Sequence, residues 1–282
     1  MKLKNLFWFL TLFFTSITIV FANETISVVA SKFPNAEILQ AAKPILKAQG
    51  YNLEVVEINS YTGHNIVTPY GKRPNNPNLD VINGKYDANF FQPLTYIQQY
   101  NKLNDSDLAI VESVIYVPFA IFITKSQEKK DLPINTLIKQ NPGLVVGIPT
   151  DYIDQARALK LLEANGLIKL DGTEEYPNLS DITSNPYKLN LYQADNVILA
   201  DMLKNNVLDL AVMNSGRAYL KGIKPDRFSI IENNPLTYAN VVVTTKEKSK
   251  SAKILALIKA LHSPEVKNVI NNGYGGLIKP VY

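Results

Sequence analysis

The chain has 282 residues, enough at roughly 100–200 residues per domain for one large domain or two modest ones, and its 46% apolar and 19% charged residues are a globular composition. It holds no cysteine and only two histidines, His64 and His262, which excludes disulfides, thiolate catalysis, iron–sulfur clusters and cysteine-ligated zinc. A net charge of +4 is too small to argue for nucleic acid, and a mean hydropathy of −0.04 with a single long apolar run argues against a polytopic membrane protein.

That apolar run comes first. Lys2 and Lys4 precede the stretch Leu6 to Phe21, which ends at Val20-Phe21-Ala22 with polar Asn23 and Glu24 behind it. This is the pattern of an export signal, residues 1–22, cut after Ala22. The alternative is an uncleaved N-terminal anchor, because the run approaches the ~17–25 residues that span a bilayer. With no cysteine near the cut there is no thiol for a lipid, so the expected location is the periplasm, without an anchor.

Strands and helices then alternate. Ile26-Ser27-Val28-Val29-Ala30 opens as a strand, and a helix is predicted over Ala36–Gln49, capped by Asn35, stopped by Gly50 and kinked or broken at Pro44. Leu53–Ile58 is a second strand. Ser60–Asn78, with three prolines and two glycines, is a long loop. A short helix ending near Gly84, a strand Asp87–Phe91, a helix Pro93–Lys102 and a strand Leu108–Ile115 complete a first block.

The second block begins with strand Phe119–Thr124, helix Leu132–Lys139 and strand Leu144–Ile148. Asp151 caps an amphipathic helix whose stripe is Ala158, Leu161 and Leu162, with Lys160 and Glu163 opposite and Gly166 as the stop. Strand Leu189–Tyr192, helix Asn196–Asn205 and strands Leu208–Met213, Phe228–Glu232 and Val241–Thr244 follow. Ile254, Leu257, Ile258 and Leu261 mark the final helix. The alternation predicts an α/β fold with mostly parallel sheets, in two lobes around a cleft. Lobe 1 is residues 23–116 with 245–282 returning to it, and lobe 2 is 117–244. Ligands bind in such clefts, and hinge closure is the expected motion.

Several stretches carry a resemblance. They are Ala36-Glu37-Ile38-Leu39, Asp87-Ala88-Asn89-Phe90-Phe91-Gln92 and Arg157-Ala158-Leu159 followed by Leu161-Leu162. Ala164-Asn165-Gly166-Leu167-Ile168-Lys169-Leu170, Tyr238-Ala239-Asn240 and Leu261-His262-Ser263-Pro264-Glu265-Val266-Lys267 follow in the same order. Together they resemble the NlpA/MetQ-type methionine-binding substrate-binding proteins of ABC importers, over nearly the whole chain after residue 22. The resemblance implies a two-lobed periplasmic-binding-protein fold with a hinge and an interlobe cleft. It implies a small amino-acid-like ligand, delivery to a membrane permease paired with an ATPase, a monomer, and no cofactor or metal.

The resemblance also implies site residues. Tyr61, Phe91 and Tyr96 look like the aromatic side of the family's pocket, where rings suit an apolar or thioether side chain; the same rings could be core aromatics. Arg157 matches the arginine that holds the ligand carboxylate, a bidentate pairing, with a solvated helix arginine as the alternative. Asn214 and Asn240 match asparagines that bond the ligand's polar head, although Asn214 could equally serve a turn.

The chain also departs from that pattern. Pro93 stands where the family has His after FFQ, and Ile115 and Val117 stand for a paired His and Glu. Thr150 replaces an asparagine, Asn214-Ser215-Gly216-Arg217-Ala218 replaces NGNYA, and Gly63–Asn76, with His64, Lys72 and Arg73, looks inserted. The ligand is therefore methionine, another amino acid or a short peptide. Catalysis has little support, since neither histidine has an evident nucleophile and no spacing pairs Asp80, Asp87 or Asp154. A surface adhesin or sensory protein on the same fold is the alternative function.

Overall fold

The structure is a computed structural model that describes residues 24–58, 76–128, 132–224 and 229–282. The export segment 1–22, Tyr61, His64, Lys72 and Arg73 lie outside the described residues. The chain begins with β1 (Glu24–Ser31), α1 (Glu37–Ala48), β2 (Tyr51–Ile58), α2 (Pro77–Ile82), β3 (Ala88–Pro93), α3 (Leu94–Asn104) and β4 (Ala109–Tyr116). It continues with β5 (Phe119–Ile123), α4 (Lys125–Glu128), α5 (Ile134–Gln140), β6 (Val145–Pro149), α6 (Tyr152–Ala164), β7 (Lys169–Leu170) and β8 (Ile182–Ser184). Next come β9 (Asn190–Ala194), α7 (Asn196–Lys204), β10 (Leu210–Asn214), α8 (Ser215–Leu220) and β11 (Ile230–Ile231). The chain closes with β12 (Ala239–Thr244), α9 (Ala252–Leu261), α10 (Pro264–Gly273) and β13 (Lys279–Pro280).

Two sheets carry two lobes. The first has the order β13-β4-β12-β3-β1-β2 and the second β11-β5-β10-β6-β9, with β7 and β8 pairing separately. Helical crossovers make β1 parallel to β2 and β3, and β6 parallel to β9 and β10. The expectation of mostly parallel sheets is otherwise overturned. β12 runs antiparallel to β3 and β4, β13 to β4, and β5 to β10 and β11. The reason is the path: β4 leaves the first lobe and β12 returns to it, so the two point opposite ways. Because β12 lies inside the first sheet, the second lobe ends before Ala239 and not at residue 244.

Each lobe has its own core. In the first, Ile26, Val28 and Ala30 of β1 meet Ile38, Leu39 and Leu46 of α1 and Ile254, Leu257 and Leu261 of α9. In the second, β5 is covered on both faces. Phe119, Ile121 and Ile123 pack with Ala158, Leu161 and Leu162 of α6, while Ala120 and Phe122 pack with Leu199 and Leu203 of α7. A strand alternates its side chains between faces, so a sheet buried on both sides needs an unbroken apolar run.

Local expectations met mixed outcomes. Asn35 does not cap α1; its Oδ1 accepts from Ser31 Oγ at 2.8 Å, and the cap residue is Ala36. Pro44 does not end α1, which runs on to Ala48. Pro44 and Gln40, whose carbonyl the missing N–H would have bonded, both lie on the exposed face, where water can serve that carbonyl. The helix at Ile254 is not the last. Ser263 accepts from Val266 N at 3.2 Å and, with Pro264 in the first turn, starts α10.

Candidate functional site

Two segments cross between the sheets, residues 117–118 after β4 and residues 232–238 after β11. A cavity of about 70 Å³ opens between the lobes beside them, lined by Phe91, Gln92, Pro93, Tyr96, Val117, Asp151, Ile153, Asp154, Arg157, Asn196, Asn214, Arg217, Tyr238 and Asn240. That is room for roughly five waters. Phe91, Tyr96, Arg157, Asn214 and Asn240, scattered over 150 residues of sequence, are thus brought to one place. A second cavity of about 310 Å³, lined by Tyr116, Pro118, Glu232, Leu236 and residues 276–281 among others, contains none of them.

On the first lobe, a β-bulge aims Phe91. In the β3–β12 register Phe90 pairs with Val242 and Gln92 with Val241, so Phe91 is passed over. Such a bulge redirects one side chain out of the alternation. Its neighbours turn inward: Gln92 Nε2 donates to Asn78 Oδ1 at 2.6 Å and to Asn89 Oδ1 at 2.9 Å in a buried amide network. Tyr96 comes from the first turn of α3. It is 8% exposed, and its hydroxyl has no hydrogen-bond partner among the described residues. Burial, then the Asp151 carboxylate, pushes its phenol well above the ordinary range.

On the second lobe, β6, β9 and β10 run parallel and their carboxyl ends deliver α6, α7 and α8 to the cavity. This is where ligands bind to parallel sheets, and the helix N-termini bring free N–H groups with them. Asp151 Oδ1 caps α6, accepting from Ile153 N at 3.1 Å and Asp154 N at 3.2 Å. Asn214 Oδ1 caps α8, accepting from Gly216 N at 3.0 Å, so the turn role and the cavity position coexist. Asn196 Nδ2 donates to Asp154 Oδ2 at 2.6 Å. Burial, reinforced by Asp151, lifts the Asp154 carboxyl to about 7 against the opposing pulls of Arg157, Asn196 and Arg217.

Arg157 is held through two of its three guanidinium nitrogens. Its Nε donates to Glu232 Oε1 at 2.9 Å and Oε2 at 3.0 Å, and its Nη2 donates to Val117 O at 3.0 Å and to Glu232 Oε2. The guanidinium carbon lies 4.4 Å from the Phe119 ring centroid and 4.1 Å from that of Tyr238. Glu232 also accepts from Phe119 N at 3.1 Å, and Tyr116 Oη lies 2.9 Å from its Oε2. This buried ion pair therefore ties α6 to both crossing segments.

Of the residues read above as departures from the resemblance, Pro93, Val117 and Arg217 line the cavity, Ile115 is buried in the first-lobe core and Thr150 is exposed. His262 sits at the end of α9, 3.2 Å from Glu112 and stacked on Tyr282 at 4.1 Å. Asp80 pairs with Lys85 and Asp87 with Ser27 and Lys248, each away from Asp154. Sequence reasoning missed Asn196 and Glu232. The available signal for Asn196 was its position just after a parallel strand, at the start of a helix; Glu232 left none.

Two α/β lobes joined by two crossing segments, with a cavity lined by both, define a bilobal ligand-binding protein. The chain belongs to the NlpA lipoprotein family, whose profile matches residues 26–282. It is 32% identical over 263 residues to the methionine-binding lipoprotein MetQ of Bacillus subtilis, covering 91% of this chain and 88% of that protein. Lipoprotein Tp32 from Treponema pallidum superposes with a TM-score of 0.76 at 28% identity, covering 92% of this chain and all of that one. A nutrient binding protein from Burkholderia cenocepacia, solved bound to methionine, superposes with a TM-score of 0.75 at 27% identity over 91% of this chain and 100% of that one.

Proposed function

We propose that this protein is an exported solute receptor that holds a small amino-acid-like ligand, methionine or a related amino acid or short peptide, in the interlobe cavity and presents it to an ABC permease with its ATPase. The observation that carries this reading is the meeting of Phe91, Tyr96, Arg157, Asn214 and Asn240 at one cavity between the lobes. Phe91, Tyr96 and Tyr238 offer rings to an apolar side chain. Asn214 Nδ2 and Asn240 offer the polar head an amide that donates and accepts. Arg157 serves the carboxylate through the guanidinium nitrogen not engaged by Glu232 and Val117.

The relatives named for methionine support this ligand class, and the cavity open between the lobes supports a receptor over an adhesin. We read the protein as a binder without catalysis. Among the described residues no cluster of three or more His, Asp or Glu can hold a metal ion. The periplasm is the proposed location. The family name refers to a lipid, whereas this sequence has no cysteine to carry one.

Thermal unfolding of the protein, refolded from denaturant to strip bound ligand, tests the reading against the twenty amino acids and a dipeptide set. A ligand at 100 times its dissociation constant stabilises by about 2.7 kcal/mol. We expect such an upward shift with L-methionine or a close analogue. No shift with any compound would overturn the reading.

A further inference from the structure

The second cavity is the roomier one, about 310 Å³ against about 70 Å³ between the lobes. One wall is residues 276–281, where β13 is bonded to β4 of the first sheet. The other is β11, bonded to β5 of the second sheet, with residues 232–236 after it. The cavity therefore spans the joint between the lobes, and its width follows their relative rotation. Glu232 lines it, whereas Arg157 lines the interlobe cavity, so one ion pair stands between the two. Cavities of this size at a boundary between packed units are favoured places for small ligands.

The lining gives the chemistry of an occupant. Pro118, Ile231, Leu236, Leu277 and Val281 supply aliphatic surface, and Ile231 and Leu236 are 47% and 75% exposed. Contiguous aliphatic surface left open to water marks an interaction site. Two lining residues carry charge. Glu232 is neutralised by Arg157, and Lys279 has no ion pair among the described residues. Aliphatic walls with one unmatched positive charge are complementary to an apolar anion.

We propose that this cavity binds a small apolar molecule carrying one anionic group, and that its occupancy is coupled to the interlobe cavity. The coupling rests on the proposed receptor function; the site does not. Two connections join the cavities. Tyr116 Oη lies 2.9 Å from both the carbonyl oxygen and Oε2 of Glu232 and accepts from Asn234 N at 3.1 Å. Glu232 in turn holds Arg157, so an occupant against Tyr116 and Glu232 bears on the groups that set the guanidinium. An occupant that touches both walls also fixes the spacing of the lobes. Both cavities are formed in the same structure, so a molecule that fits the larger one favours the arrangement in which the smaller one exists. By reciprocity, a ligand between the lobes tightens the apolar anion.

The probe is 1-anilinonaphthalene-8-sulfonate, an apolar anion whose fluorescence rises as it leaves water. Titration of the protein stripped of bound ligand is expected to give a single site per chain. Lys279→Glu turns an attraction into a repulsion and should weaken the probe about tenfold or more. Leu236→Asp, which removes aliphatic surface at the rim, should weaken it in the same direction. Lys250→Glu makes the same charge change away from the cavity and should leave the affinity within about twofold. All three side chains are exposed, and the melting midpoint of each variant controls for folding. With the probe saturating, isothermal titration should show L-methionine binding about fivefold tighter.

Probe affinity unchanged in both Lys279→Glu and Leu236→Asp would overturn the site. Displacement of the probe by L-methionine would do the same, because the probe would then occupy the interlobe cavity. L-Methionine affinity that is equal with and without bound probe would overturn the coupling. A probe lost in the two cavity variants alone, with no L-methionine binding under any condition, would support the site and count against the receptor function for that ligand.

Discussion

The two walls of the cavity are built differently. All the charged side chains among its described lining residues, Asp151, Asp154, Arg157 and Arg217, come from the second lobe. The first lobe contributes Phe91, Gln92, Pro93, Tyr96 and Asn240, none of them charged. The difference follows from topology. In the second lobe three parallel strands end at the cavity, and each hands over to a helix N-terminus, where polar and charged residues are favoured. In the first lobe the cavity meets the flank of β3 and β12, where a bulge turns an aromatic ring outward. One wall orients charge and the other supplies shape, and a ligand that is both zwitterionic and apolar needs both.

The largest expected effect breaks the link between the walls. Glu232→Gln leaves Arg157 as a buried cation without its counter-charge. Unfolding in urea should then show a loss of about 3–5 kcal/mol. Replacing both partners, Arg157→Met with Glu232→Met, should recover most of that loss, because the desolvation of two charges is removed along with their attraction. A single variant as stable as the wild type would show that the pair does not hold the crossing segments.

A smaller effect sharpens the charged wall. The folded Asp154 carboxyl lies near 7, above its ordinary 3.8, so folding binds a proton there. Its contribution to stability is present in full below about pH 4 and is lost as pH rises through about 7. Without ligand, Asp154→Asn should therefore melt higher than the wild type at pH 8, and at pH 4 the two should agree. Equal midpoints at pH 8 would place Asp154 in a more solvated setting.

Local features were legible in the sequence. Asp151 as a cap, the stripe Ala158, Leu161 and Leu162, and the stop at Gly166 are set by neighbours a few residues away, and the structure has them. The motif around Phe91 was readable as a resemblance, but its direction depends on a bulge opposite β12, 150 residues later. The partner of Arg157 lies 75 residues on, and that of Asn196 lies 42 residues back. No periodicity links such pairs, because they meet only when the lobes assemble. Strand direction was hidden for the same reason: β12 reads as an ordinary strand until its return path is known. The two-residue strands β7 and β13 are too short for alternation to register.

The central claim is that one ligand touches both walls at once. A double-mutant cycle on L-methionine binding, measured by isothermal titration, tests it most directly. Phe91→Ala empties the aromatic side of the first lobe. Asn214→Ser removes the amide from the second lobe while keeping an oxygen to cap α8. We expect each change to weaken binding, Phe91→Ala by about 2 kcal/mol, and the pair to couple by about 0.5 kcal/mol or more. Strict additivity, or unchanged affinity in either single variant, would mean that the ligand does not bridge the lobes at this cavity.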